Sequence, residues 1–179
     1  MNILTFGASS SSKSINQKFA IYAANQIDGA KVEVVDLNDF EMPIFSTDRE
    51  ESGGIPDKAK TFKSLLAAAD GVIVSFAEHN GSYATAFKNV LDWISRLEGK
   101  IWLNKPMLLL STSPGGRGGQ TVLNQAALTF PHQGADVAGT FSFPFFQKNF
   151  SEEEGITDSD LNGVFQNELS GFVNHIKQQ

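Results

Sequence analysis

Apolar and polar positions along this chain alternate on two scales. Short apolar runs occur at Ile3 to Phe6, Val32 to Val35, Gly71 to Ser75, Pro106 to Ser111 and, less cleanly, Val137 to Phe143. Between them lie longer stretches of helical period: Ile15 to Ile27, Asp57 to Ala69, Tyr83 to Leu97, Gln120 to Phe130 and Asp158 to Ile176. In the second of these, Phe62, Leu65, Leu66 and Ala69 fall at i, i+3, i+4 and i+7, one face of a helix. Leu161, Val164, Phe165, Leu169, Phe172, Val173 and Ile176 make a similar stripe in the last. Strands buried on both faces read as continuous apolar runs, so five of them alternating with helices predict a parallel sheet with helical crossovers. Right-handed connections then place helices on both faces. The expectation is an α/β fold: one doubly wound five-stranded sheet, order 2-1-3-4-5, in a single domain over residues 1–179.

Composition narrows the function more than the fold. With 41% hydrophobic and 19% charged residues the chain has the make-up of an ordinary soluble globule. The absence of cysteine removes disulfides, thiolate metal sites and cysteine nucleophiles. Met1 to Phe6 lacks the basic flank and long apolar stretch of a signal peptide, and no run approaches the roughly 20 apolar residues of a membrane helix. A cytoplasmic protein is therefore expected. The net charge of −6 disfavours nucleic acid, whose binding needs clustered Lys and Arg, so neither nucleic acid nor membrane is an expected partner. The longest irregular stretches run from Asn38 to Pro56 and from Pro144 to Thr157, a length that goes with either function or a surface excursion.

Three loops carry the candidate chemistry. The first strand runs into Gly7-Ala8-Ser9-Ser10-Ser11-Ser12-Lys13-Ser14-Ile15-Asn16 and then a helix. Helix N-terminal amides carry partial positive charge and serine hydroxyls add donors, which suits an anion such as a phosphate. A serine N-cap alone explains the same residues. Neither a Walker motif nor G-x-G-x-x-G is present. The third strand delivers Phe76-Ala77-Glu78-His79-Asn80-Gly81-Ser82-Tyr83, with the turn signal Asn80-Gly81. The fourth delivers Ser113-Pro114-Gly115-Gly116-Arg117-Gly118-Gly119, whose glycines let backbone approach a flat ligand. Ordinary turn chemistry accounts equally for either loop alone. In the order 2-1-3-4-5, however, strands 1, 3 and 4 are neighbours, and ligands bind at their carboxyl ends. The three loops then line one cleft, with phosphate, ring and ring-edge parts of a mononucleotide in view.

At these residues the sequence resembles the NADPH-dependent FMN reductases, with their chromate, quinone and azo reductase relatives, over nearly its whole length. The family's first loop reads G-S-x-R-x-x-S-x-N, and Ser9, Ser14 and Asn16 fall into that frame. Its third-strand loop reads P-E-Y-N, then S-x-P and K-N-x-x-D-W; here stand Ala77-Glu78-His79-Asn80, Ser82 and Lys88-Asn89-Val90-Leu91-Asp92-Trp93. Its Gly-rich fourth loop matches Ser113 to Gly119. There are departures: Ser11 replaces the phosphate-loop Arg, a bidentate partner, Ala77 and Ala84 replace prolines, and His79 replaces the ring-stacking Tyr.

The resemblance implies a flavodoxin-like three-layer α/β/α sandwich that binds FMN and draws on NADPH or NADH. Electrons would pass in a ping-pong cycle to a small acceptor: free flavin, quinone, azo compound or metal oxyanion. Ser9, Ser11, Ser14, Ile15 and Asn16 would bind the phosphate; Glu78, His79, Asn80, Gly81 and Ser82 would hold the ring. Amides of Ser113, Pro114, Gly115 and Gly116 would border its pyrimidine edge. No catalytic side chain and no metal ligand is expected, since the flavin carries the chemistry. His132 and His175 have no metal-ligand spacing, and Ser82 with His79 lacks a G-x-S-x-G elbow. Lys88, Asn89, Asp92 and Trp93 are expected to fix a loop and an oligomer contact. The family also implies a homodimer or tetramer. An electron carrier serving a protein partner, or a flavin-free binding domain that kept the fold, remain alternatives, because fold alone does not settle function.

Overall fold

In a computed structural model describing residues 1–179, the first half of the chain runs β1 (Asn2–Ala8), α1 (Ile15–Asn25), β2 (Lys31–Val35), α2 (Thr47–Gly53), α3 (Asp57–Ala68) and β3 (Gly71–Phe76). A small hairpin of β4 (Glu78–His79) and β5 (Ser82–Tyr83) follows, then α4 (Thr85–Ile94), β6 (Pro106–Thr112) and α5 (Gln120–Thr129). The chain closes with β7 (Asp136–Phe143), α6 (Phe146–Asn149), the hairpin β8 (Phe150–Ser151) and β9 (Gly155–Ile156), and α7 (Ser159–Lys177). The main sheet is parallel throughout, in the order β2-β1-β3-β6-β7. Since β6 and β7 are the fourth and fifth apolar runs, this is the 2-1-3-4-5 topology expected from the sequence.

Strand alternation divides the core in two. Leu4, Phe6, Val72, Val74, Phe76, Met107 and Leu109 pack against Phe62 and Leu66 of α3, Phe87 and Val90 of α4, and Val122 and Ala126 of α5. Ile3, Ile73, Leu108, Leu110, Phe141 and Phe143 face the other way, onto Phe19 and Ala23 of α1 and Phe165, Leu169 and Phe172 of α7. Each fully buried side chain of this size contributes roughly 1.5–3 kcal/mol, so the two layers together hold the sandwich. No helix is long and apolar enough to cross a membrane.

Three expectations need correction. β2 is not buried on both faces: only Val35 is buried, because β2 lies at the sheet edge, with Lys31 ahead of its valines and Glu33 between the first two. The helix expected from Tyr83 starts at Thr85, because Asn80 (φ 52°) and Gly81 (φ 76°) reverse the chain into the β4–β5 hairpin. Tyr83 instead turns inward, edge-on to Phe87 at 5.3 Å. Nor is either long segment without structure. Asn89 accepts from Phe45 N–H (2.9 Å) and donates to the Met42 carbonyl (3.0 Å), while the buried Trp93 donates to the Pro43 carbonyl (2.7 Å). These bonds hold the first segment, which contains α2, against α4. In the second, Phe146 and Asn149 are buried, and Asn149 donates to the Pro144 carbonyl (3.0 Å).

Candidate functional site

The carboxyl ends of β1, β3 and β6 open into one cleft of about 290 Å³. Gly7 sets its first wall. A Cβ there would lie 2.6 Å from the Gln17 Cα and 2.8 Å from the Asn16 carbonyl carbon, so glycine lets α1 start directly against the strand. Ser14 caps that helix, its hydroxyl accepting from Gln17 N–H at 3.1 Å. Ser9 accepts from Ser11 N–H (3.2 Å) and Ser11 from Lys13 N–H (3.3 Å), which leaves the proton of each hydroxyl uncommitted. The first-turn amides of Ile15 and Asn16 have no partner in the chain, and the first turn of α1 contains no acid. Ser9, Ser11, Lys13, Ser14, Ile15 and Asn16 all line the cleft. Unpartnered amides and hydroxyl donors at a helix start are the groups that stabilise an anion.

Asn16 has a second task. Buried, it donates to the Thr112 carbonyl (3.1 Å) and accepts from Thr112 N–H (3.0 Å) and the Ser75 hydroxyl (2.7 Å). Its side chain therefore ties α1 to β3 and β6, and its main-chain N–H is what remains for a ligand.

From the second loop Ala77, Glu78 and His79 line the cleft, and from the third Thr112, Ser113 and Pro114. One oxygen of the Glu78 carboxylate accepts from Thr121 N–H (3.0 Å) and Val122 N–H (3.1 Å). It thereby caps α5, whose own N-cap residue, Gly119, has no side chain to do so. An anion in that position is stabilised by the helix dipole.

Asn80, Gly81, Ser82, Gly115 and Gly116 do not line the cleft. The first three belong to the hairpin turn, where the Ser82 hydroxyl reaches Gln125 at 3.3 Å. Phe145 crosses the glycine loop: its N–H donates to the Gly115 carbonyl (3.1 Å), and a Cβ at Gly116 would meet its ring at 2.7 Å. The loop's glycines thus admit an aromatic ring of the chain itself. Phe145 holds φ 50°, an uncommon conformation for a bulky residue, and remains half exposed.

Lys13, Ala77, Thr112 and Gln147 also line the cleft. Thr112 ends a strand and Ala77 is featureless, so neither carries a signal; Gln147 arrives from an irregular segment distant in sequence. Lys13 was visible within the serine loop. Outside the cleft, burial pushes the Tyr83 phenol above its usual pKa, against a weaker opposing effect from its hydrogen bond with Thr129, so it stays protonated at neutral pH. His175 pairs with Asp136 (2.6 Å) at the amino end of β7, the opposite pole, and His132 is exposed.

Comparison with known proteins places these features in a wider setting. Residues 1–148 match the family model for NADPH-dependent FMN reductases. An NADPH:quinone oxidoreductase of Arabidopsis thaliana is 32% identical over 95 residues, 53% of this chain and 47% of the relative. An NADPH azoreductase of Bacillus sp. (strain OY1-2) is 37% identical over 105 residues, 59% and 54% respectively. The chain spans about half the length of the curated relatives it matches. Among solved structures, the flavoenzyme NAD(P)H:(acceptor) oxidoreductase FerB of Paracoccus denitrificans superposes with a TM-score of 0.79 at 22% identity, covering 99% of this chain and 97% of that one. An NADH:FMN oxidoreductase, EMOB, gives 0.69 at 22% identity, covering 97% and 89%.

Proposed function

Because the chain belongs to the NADPH-dependent FMN reductase family, we propose that one FMN binds per chain in this cleft, and that the protein is an NAD(P)H-dependent oxidoreductase passing electrons in a ping-pong cycle to a small acceptor. The relatives named for quinone and azo substrates favour acceptors of those classes, with free flavin a third. The observation that carries the reading is the pair of unpartnered amides, Ile15 and Asn16, among serine hydroxyls at an acid-free helix start.

The residues present fit the cofactor on donor chemistry. Main-chain N–H groups and the Ser9, Ser11 and Ser14 hydroxyls would hold the phosphate, and the Ala77–His79 and Thr112–Pro114 edges would flank a flat ring. When bound, FMN supplies acceptance of hydride from nicotinamide and its onward transfer. The chain contributes binding and orientation, and no side-chain nucleophile is required. A cytoplasmic location goes with use of a pyridine nucleotide. A homodimer or tetramer is supported by Ile44, 67% exposed beside a second cavity of about 380 Å³ next to α4.

Anaerobic mixing with FMN and then NADPH or NADH tests the reading. Flavin absorbance should bleach with a pyridine nucleotide and return on adding quinone. FAD should bind more weakly than FMN. Tighter FAD binding, or bleaching no faster than for free flavin, would overturn it. A second expected result concerns Ser11, which is exposed and has room for a longer side chain. Ser11→Arg should tighten FMN about tenfold in a fluorescence titration, since a charged hydrogen bond is worth roughly 1.5–3 kcal/mol. Unchanged affinity would mean that Ser11 does not face the phosphate.

A further inference from the structure

We propose that Lys13 is the residue by which this chain selects a phosphorylated flavin over an unphosphorylated one, an inference that rests on the FMN reading above. Lys13 is the one lysine or arginine lining the cleft. It stands immediately before the Ser14 N-cap, held there by its own N–H on the Ser11 hydroxyl and by Ser14 N–H on the Ser11 carbonyl (3.1 Å).

That position is electrostatically unfavourable for a cation. The start of a helix carries partial positive charge, so an acid stabilises it and a lysine does the opposite. Here no acid occupies the first turn and the Ile15 and Asn16 amides are unpartnered. The Lys13 ammonium has neither an ion pair nor a side-chain hydrogen bond, although the chain has 20 acidic residues against 14 basic ones. Elsewhere Lys18, Lys60 and Lys88 each pair with a carboxylate, and Lys63 and Lys105 cover main-chain carbonyls; Lys31, Lys58, Lys100, Lys148 and Lys177 also lack an ion pair, but none of them lines the cleft. Like charges gathered without a counter-ion break a local rule, as functional sites do, and a dianionic phosphate resolves the conflict. Ser11 contributes no charge, so Lys13 alone supplies a full positive one to this wall.

The test compares FMN and riboflavin binding to the wild type, Lys13→Ala and Lys13→Arg by flavin fluorescence, at low and high salt. Lys13 is exposed, so neither substitution threatens the fold. Lys13→Ala should weaken FMN about tenfold at low salt, with the deficit shrinking as salt screens the charge. Riboflavin should bind the wild type and Lys13→Ala alike, and Lys13→Arg should keep FMN near wild-type affinity. The proposal is overturned if Lys13→Ala binds FMN as the wild type does, if it loses riboflavin equally, or if Lys13→Arg loses as much as Lys13→Ala. Wild-type protein binding neither flavin is a separate result: it removes the cofactor reading itself, and this inference with it.

Discussion

Gly7→Ala is expected to lower the melting temperature by roughly 6–12 °C, taking about 3 kcal/mol for forced overpacking and 2–4 °C per kcal/mol for a chain of this size. The added methyl meets backbone, the Gln17 Cα and the Asn16 carbonyl carbon, and backbone cannot rotate aside as a side chain would. Relief requires α1 to lift off β1. That movement would also strain the Gly7 N–H bond to the Gln17 side chain and the Gln17 bond to the Val35 carbonyl (3.0 Å). Calorimetry without added flavin measures the effect directly. A melting temperature equal to that of the wild type would show that the helix start is not fixed by this contact.

Asn16→Ala should destabilise the protein by about 3 kcal/mol, because three buried hydrogen bonds vanish together and leave both main-chain groups of Thr112 and the Ser75 hydroxyl without partners. In urea the midpoint should fall with an unchanged slope, the signature of lost stability without altered compactness. The expected loss is present with or without FMN. If stability were unchanged and only FMN affinity fell, Asn16 would be a side-chain ligand and the scaffold role given to it here would be wrong.

The fold was legible in the sequence because its cause is repetitive. Five apolar runs separated by helical stripes leave few arrangements for a chain of this length, and β1, β3, β6 and β7 lie within one or two residues of the runs that predicted them. The misreadings have local causes. In β2, Val32 and Val34 look like core residues until the sheet order places them at an edge. The Asn80-Gly81 turn was visible, but the strand pair it joins is too short to show a period. That the serine loop lines the cleft was readable, because strand-to-helix turns are local. The Phe145 ring on the glycine loop was not readable, because it comes from another part of the chain. The bond from the Glu78 carboxylate to α5 was hidden for the same reason: its partners lie more than forty residues away, and nothing in the sequence marks that pairing.

Two helix starts bear on the cleft, α1 directly and α5 through Glu78, and the chain treats them oppositely. At α5 the positive end already holds the Glu78 carboxylate; at α1 it is left bare and reinforced by Lys13. The cavity is therefore directional before any guest arrives, with a head that attracts negative charge and a tail whose attraction is spent. A molecule with one anionic terminus has one way round to lie, and a molecule anionic at both ends has none. The face that such a guest shows to solvent, and so to whatever collides with it, is decided by where the protein has placed a single carboxylate.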